Sequence, residues 1–483
     1  MSRAFPDQEL DRLIRQGSAE EATRVLDRWL RAKIPCSDYS QVAEVMRRLG
    51  QPKRAIELLA PKIHGTSRVG PSANPEEQAE YAISLARTGC LTEAQTRLSK
   101  ISDQDTPKKN LFEGMLAFHF WDPEGAITPL TKYLKQEGVS DYQRGIGKIN
   151  LLAAYVGSEN SPLQVEELFH SIQPELDRTE NSLLRGNVSE LMIHHFCSQK
   201  KFQKAQEEIG AAIERRTKLS GFDGLFFEKW RTWSEICLSP SSRHSELIQK
   251  LRLSARELNH FETLRECDLF EAVVTRQEEL ALKLYFCTHF EGYRGRVLRW
   301  WGQELPRPEF WSLRLDQTAY VYQAKSKSKF KGATSAIDWE QLHLEGHLKS
   351  GSLLARALEV LLRDPYRKLS VGELYDRIYP GESFQSQSAS LRIKQVIFRL
   401  NALLREVRTG ARFLVKNDRV SLELTQALDV SLPLQALRSP LDRILEDQGL
   451  DLSTRDLAKS LGLSESQARR KRRQLKSDRE ILK

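Results

Sequence analysis

The chain closes on LSESQARRKRRQLKSDREILK, in which Arg469 to Arg473 are consecutive basic residues. A second stretch, SASLRIKQVIFRLNALL, spaces Arg392, Lys394, Gln395 and Arg399 at helical intervals. These residue types carry nucleic-acid chemistry. Arginine presents paired donors to guanine, glutamine pairs with adenine, and lysine brings a point charge to phosphate. A charged tail or a targeting signal would need only the basic run. What separates the alternatives is whether the residues in front of each run build a helix and hold it in place.

No arrangement for catalysis competes with that chemistry. P-loop, nucleophile-elbow and HExxH patterns are absent, and RGIGK at 144–148 is too short to signal a nucleotide site. An enzyme is not expected, nor a cofactor. His194–His195 and His343 with His347 lack Cys or carboxylate partners at ligand spacing, and Gly346 works against a helix between the second pair. The six cysteines (36, 90, 197, 237, 267 and 287) form no CxxC pair and are expected to be reduced structural thiols.

The charge is unevenly divided. From Lys349 onward there are 26 basic against 17 acidic residues, which accounts for the whole net +9; the preceding 348 residues hold 48 of each. Such a distribution suggests a polyanion-binding C-terminal part on a neutral N-terminal part. No apolar stretch approaches the ~20 residues of a membrane span, and Asn150 interrupts the longest, 149–156. The start, MSRAFPDQELDRL, has no secretory core. No membrane association is expected, and the cytoplasm is the expected compartment, at the nucleoid if DNA is bound.

The neutral part repeats. RQGSAEEATRVL, RLGQPKRAIELL and RTGCLTEAQTRL each place Gly five residues before Ala and Leu four beyond it: Gly17/Ala22/Leu26, Gly50/Ala55/Leu59 and Gly89/Ala94/Leu98. Weaker copies centre on Ala126, Val165 and Ala205, so successive anchors are 33, 39, 32, 39 and 40 residues apart. That period with helical apolar spacing predicts stacked helical hairpins. A small Ala admits close helix approach and Gly a tight turn. Residues 5–220 resemble tetratricopeptide repeats, without the family's usual Trp or regular terminal Pro. Residues 245–287 read as capping helices. The resemblance implies a groove for a peptide or partner protein; a rigid spacer or a self-association surface, as in a homodimer, is the other use of such an array.

Next, PEFWSLRLDQTAYVYQAK and IDWEQLHLEG alternate like strands around a solvated basic loop, KSKSKFKGATS. Helices are then expected over 353–362, 371–379 with Ser370 as cap, and 388–404, whose buried stripe is Ile393, Ile397, Leu400 and Leu404. A hairpin, RFLVKNDRVSLEL, turns at Asn417–Asp418. LLRDPYRKLSVGELYDRIY and RLNALL with FLVKNDRVSLEL resemble the winged-helix effector domain of OmpR/PhoB-type regulators, over about 310–425, with a four-stranded sheet ahead of the helices and no receiver domain. The resemblance implies that the third helix enters the major groove, where Gln395 and Arg399 face bases with Arg392 and Lys394 flanking. It also makes Arg412, Lys416 and Arg419 the wing's phosphate contacts. Phe398 points outward too, toward thymine methyls or a partner, unless the helix phase differs.

Ser439–Pro440 starts a further helix that Gly449 can end, Ser453 starts a second, and Ser464 with Gln467 forms a capping box for a third. Ala458, Gly462 and Ala468 have the spacing of a trihelical helix-turn-helix, with Ala468 and Leu475 seating the last helix. LSTRDLAKSLGLSESQARRKRRQL is similar to the motif of MarR-, AsnC- and sigma-factor-type DNA binders. On that basis Ser466, Gln467 and Arg470 face bases, while Arg469, Arg473 and Lys476 hold phosphates. Lys471 and Arg472 pack only their stems.

The expected fold is therefore mainly α: a TPR-like α-solenoid over 1–300, an α+β winged-helix domain over 301–427 and a small trihelical helix-turn-helix over 428–483. The expected function is a bacterial sequence-specific transcriptional regulator on double-stranded DNA. The alternative is an adaptor whose winged helix binds protein and whose basic end binds nucleic acid without specificity.

Overall fold

The computed structural model describes residues 5–16, 18–31, 34–65, 72–159, 161–178, 182–214, 221–239, 243–305, 310–315, 335–349, 352–433 and 453–455. Helix dominates, with twenty-one α-helices and six strands among the described residues. None of these helices is long and apolar enough to cross a membrane. The chain forms two compact units, Met1–Thr263 with Glu382–Ser388, and Leu264–Gly381 with Ala389–Lys483. The boundary expected between residues 300 and 301 lies inside the second unit.

Helices of the first unit come in consecutive pairs: α1 (Asp7–Arg15) with α2 (Ala19–Trp29), α3 (Tyr39–Arg48) with α4 (Pro52–Ile63), α5 (Pro75–Thr88) with α6 (Leu91–Leu98), and α7 (Lys108–His119) with α8 (Pro123–Lys135). The series continues with α9 (Asp141–Ser158) and α10 (Pro162–Arg178), α11 (Ser182–Ser198) and α12 (Phe202–Glu214), and α13 (Gly221–Leu238) and α14 (His244–Glu257). The first helix of each pair packs on the first helix of the next. All six anchors, Ala22, Ala55, Ala94, Ala126, Val165 and Ala205, fall in second helices and are at most 1% exposed. A buried ion network joins three successive first helices: Arg47 Nε donates to Glu80 at 2.8 Å, and Lys108 Nζ lies 3.2 Å from Glu80 and 2.8 Å from Glu44. Burial opposes the Lys108 charge, yet the Glu80 and Glu44 carboxylates hold its pKa above the ordinary value.

In four of the pairs the turn uses a left-handed residue five positions before the anchor. Gly50 (φ 74°) and Gly89 (φ 97°) supply it five residues before their anchors, but Trp121 and Lys200 (both φ 57°) occupy the same place in later pairs. A side chain in that conformation costs about 1–2 kcal/mol. Lys200 is exposed, so Lys200→Gly is expected to raise stability by about 1 kcal/mol, the gain being trimmed by glycine's greater freedom when unfolded. Denaturant unfolding checks this; an unchanged or lower midpoint would show that the turn stores no strain.

His260 Nδ1 accepts the Thr263 N–H (3.2 Å), and the ring meets Phe226 edge-on at 5.0 Å. Burial, followed by the Lys229 charge, pushes its pKa down to about 4 from 6.5. The unfolded chain therefore takes up a proton before the folded one does. The stabilisation is complete above pH 6.5 and is lost as pH falls toward 4. With the ring part-exposed, the loss is discounted to about 1–2 kcal/mol. His260→Asn keeps an acceptor for Thr263 and should flatten that part of the pH–stability curve. Parallel curves for the two proteins would rule the histidine out as its source.

The second unit opens with helices: α15 (Phe261–Thr275), whose first three residues belong to the first unit, α16 (Glu278–Phe286) and α17 (Glu291–Trp301). Then come β1 (Phe310–Leu315), β2 (Ala336–Asp338), α18 (Trp339–Leu344), α19 (Leu353–Arg363), β3 (Leu369–Ser370), α20 (Val371–Ile378), α21 (Ser386–Glu406), β4 (Ala411–Lys416), β5 (Arg419–Leu424) and β6 (Leu428–Pro433). Only two strands precede α19 among the described residues, where four were implied, and β6 enters between them. It runs antiparallel to β1 (Leu315↔Leu428) and parallel to β2 (Ile337↔Val430). The strand expected through IDWEQLHLEG stops after Asp338. That carboxylate accepts the Gln341 N–H at 3.3 Å and so starts α18 in place of more strand.

The other sheet has the order β3-β5-β4. Its hairpin turns at Asn417 and Asp418, both at positive φ, as a two-residue turn with matching twist requires. Ser370 Oγ accepts the Glu373 N–H at 3.0 Å to start α20. Behind these elements a buried polar cluster ties α15–α17 to the segment following α19. Arg265, fully buried, donates to Asp364 at 2.5 Å and lies over the rings of Tyr293 and Tyr366. Asp268 accepts from both Lys283, at 2.5 Å, and the Tyr366 hydroxyl.

Candidate nucleic-acid interface

Ala389, Ile393, Val396, Ile397, Leu400, Leu403 and Leu404 bury one side of α21. Asn401 fixes the helix to β4 with two hydrogen bonds, donating to the Phe413 carbonyl and accepting the Phe413 N–H, both 2.8 Å. The Val371 N–H donates to the Asp418 carbonyl (2.9 Å), so the hairpin tip is anchored at the start of α20. The opposite face of α21 carries Leu391, Lys394, Gln395, Phe398, Arg399 and Ala402, all exposed. From Ser386 to Leu424 there are eight basic residues against three acidic, so this helix and hairpin present a positive surface.

Lys394, Gln395 and Arg399 share the exposed face with no side-chain partner among the described residues. Arg392 does not flank them freely. Its guanidinium lies 3.7 Å from the Tyr379 ring centroid and donates to the Tyr375 hydroxyl at 2.9 Å, which holds the side chain against α20. Arg412 is exposed but already engaged, both Nε (2.8 Å) and Nη2 (2.6 Å) donating to Glu423 on the neighbouring strand. A phosphate would have to compete with that carboxylate. Lys416 and Arg419 sit exposed on either side of the hairpin turn, with Arg419 donating to the Lys368 carbonyl at 3.3 Å. Phe398 points outward and is 69% exposed; Leu391, which helical phasing did not single out, is 63% exposed beside it. Arg405, in the extra residues that carry the helix to Glu406 past the expected end at 404, and Arg408, in the turn that follows, are further exposed cations.

Ser466, Gln467, Arg469, Arg470, Arg473 and Lys476 lie outside the described residues, as does nearly all of the basic loop at 325–335. Of the histidines that could suggest a metal, His194 stacks on Trp230 at 3.9 Å, His343 Nδ1 lies 2.6 Å from the Leu348 carbonyl, and His347 lies 3.5 Å from Glu345 and 3.4 Å from Glu406. Burial pushes the Cys237 thiol up to about 11, and those of Cys197 and Cys287 higher. Such thiols are inert. Comparison with protein-family models, curated proteins and solved structures finds no match to this chain.

Proposed function

We propose that the chain is a sequence-specific DNA-binding transcriptional regulator whose α19–α21 and β4–β5 act as a winged helix. The observation that carries this is the exposed face of α21, where Lys394, Gln395 and Arg399 stand unpartnered among the described residues, together with an exposed hairpin tip bearing Lys416 and Arg419. The helix is held rigidly from behind, so its outer face suits a major groove, and the hairpin suits the adjoining phosphates. The arrangement of three helices with β3 joining the hairpin sheet supports the winged-helix reading. The C-terminal residues, by their resemblance, would form a second reader on the same duplex, linked by effective concentration. The paired helices of the first unit support a tetratricopeptide-like solenoid that receives a partner or self-associates. The nucleoid is the corresponding location.

Leu391 and Phe398 favour a second reading, an adaptor whose α21 docks on protein. Selection from a random duplex pool by the full chain, followed by binding across a salt series, separates the two. The regulator yields a motif bound well above background at every salt. No enriched motif, with binding that tracks salt alone, would overturn the regulator and favour the adaptor.

A further inference from the structure

A partly open cleft of about 360 Å³ lies among α6, α7 and α8, the size of a small-ligand site. Thirteen and nine residues before the anchor, the second pair carries Val42 and Met46 and the third carries Tyr81 and Leu85. All four are core residues, at most 4% exposed. The fourth pair has Glu113 and Ala117 at those positions, and both line the cleft. A cavity therefore opens where the earlier pairs have core.

Asn110 also lines the cleft. It is 1% exposed, and neither its Nδ2 nor its Oδ1 has a hydrogen-bond partner among the described residues. Leaving both halves of a buried amide unsatisfied is unfavourable unless something supplies an acceptor and a donor side by side. An extended peptide does not. Its trans bond sets N–H and C=O on opposite sides, so one backbone amide reaches only half of Asn110. A nucleobase does offer the pair on one edge, where a ring N–H or amino group adjoins a carbonyl or ring nitrogen. Asparagine meets such an edge with both of its polar atoms. Phe120 and Leu116 line the cleft as well, and a flat base stacks favourably on surfaces of that kind. Ser99 and Thr128, exposed and uncharged, complete the lining with hydroxyls that suit a sugar.

The charges in the lining argue for a neutral ligand. Glu113 and Asp122 bring carboxylates, and the ammonium of Lys132 is held by Asp103 at 2.9 Å. A phosphate group would meet net repulsion there. We propose that this cleft binds a nucleobase, free or as its nucleoside, with the donor–acceptor edge on Asn110 and the ring face against Phe120 and Leu116. The proposal concerns the first unit alone and stands whether or not the second unit binds DNA.

Calorimetric titration of the full chain with uridine, cytidine, adenosine and guanosine tests it. Each nucleoside is run beside its free base, its 5′-monophosphate and its counterpart with the donor nitrogen fully methylated. Binding of at least one nucleoside or base is expected, with the methylated form about tenfold or more weaker because Asn110 is again left unsatisfied. Comparing base with nucleoside identifies which form the cleft takes. Asn110→Leu should weaken the parent ligand and no longer distinguish it from the methylated one. Ala117→Leu, which restores the Leu85 of the third pair, should abolish binding, thermal melts confirming that both variants fold. If no nucleoside or base binds, the proposal fails. Equal binding of parent and methylated ligands would overturn the edge assignment, and a monophosphate that binds more tightly would overturn the neutral class. Binding unchanged in both variants would place the ligand outside the cleft.

Discussion

Replacing Asp364 by alanine lowers the stability of the second unit by about 3–5 kcal/mol, the cost of breaking a buried ion pair from one side. Arg265 is fully buried and Asp364 only 1% exposed, so no water replaces the lost carboxylate. The Thr288 hydroxyl, at 3.4 Å, and the faces of Tyr293 and Tyr366 attract the guanidinium without neutralising it. Arg265 cannot shed its proton to relieve the strain, because guanidinium stays charged at any relevant pH. The double substitution Arg265→Met with Asp364→Leu should recover most of the loss, since an apolar pair of similar volume carries no desolvation debt. Urea unfolding of the single and double variants measures both effects. A single-variant loss below about 1 kcal/mol would show that the pair is solvated or dispensable. The consequence for function is positional. Asp364 follows α19 directly, so this pair seats the helices that carry α21.

Arg399→Ala is expected to weaken binding to a selected duplex by about 10–100-fold, or about 1–3 kcal/mol, and to relax preference at one base pair. Lys416→Ala should act differently: a similar loss on every duplex and a salt slope smaller by about one. Arg412→Ala should remove no direct phosphate contact, because Glu423 already occupies its donors, and any loss comes from the Glu423 carboxylate it leaves uncompensated. Titrations of the three variants against selected and scrambled duplexes, at two salt concentrations, give the comparison. If Arg399→Ala weakens selected and scrambled duplexes alike, α21 holds phosphates and the specificity lies elsewhere. If it changes neither, the face is not a DNA surface, and Leu391 and Phe398 point to protein.

Much of this was legible in order along the chain. The six anchors, the Ser370 cap and the Asn417–Asp418 turn each depend on a few neighbouring residues, and each stands where spacing put it. The buried stripe of α21 followed from helical phase, and so did the exposure of Gln395, Phe398 and Arg399. The end of that helix did not follow, because Arg405 and Glu406 continue it without an apolar signal. Trp121 and Lys200 could not be placed at left-handed turns from residue type, since glycine is the usual marker and neither has one.

Sequence by itself determined the elements and the sign of the surface: paired helices with small anchors, a helix-rich second part, and a positive excess confined to the last third of the chain. Tertiary structure decided which charges remain available. Arg392 and Arg412 look equivalent to Arg399 in a string of letters, yet one is stacked on Tyr379 and the other is held by Glu423 across a strand pair. It also decided that β6 closes a sheet with β1, and that Arg265 finds Asp364 ninety-nine residues away. The physical reason is common to all of these. Local conformation is set by near neighbours. A charge's availability, a strand's partner and a cleft's emptiness are set by groups that only the folded chain brings within a few ångströms.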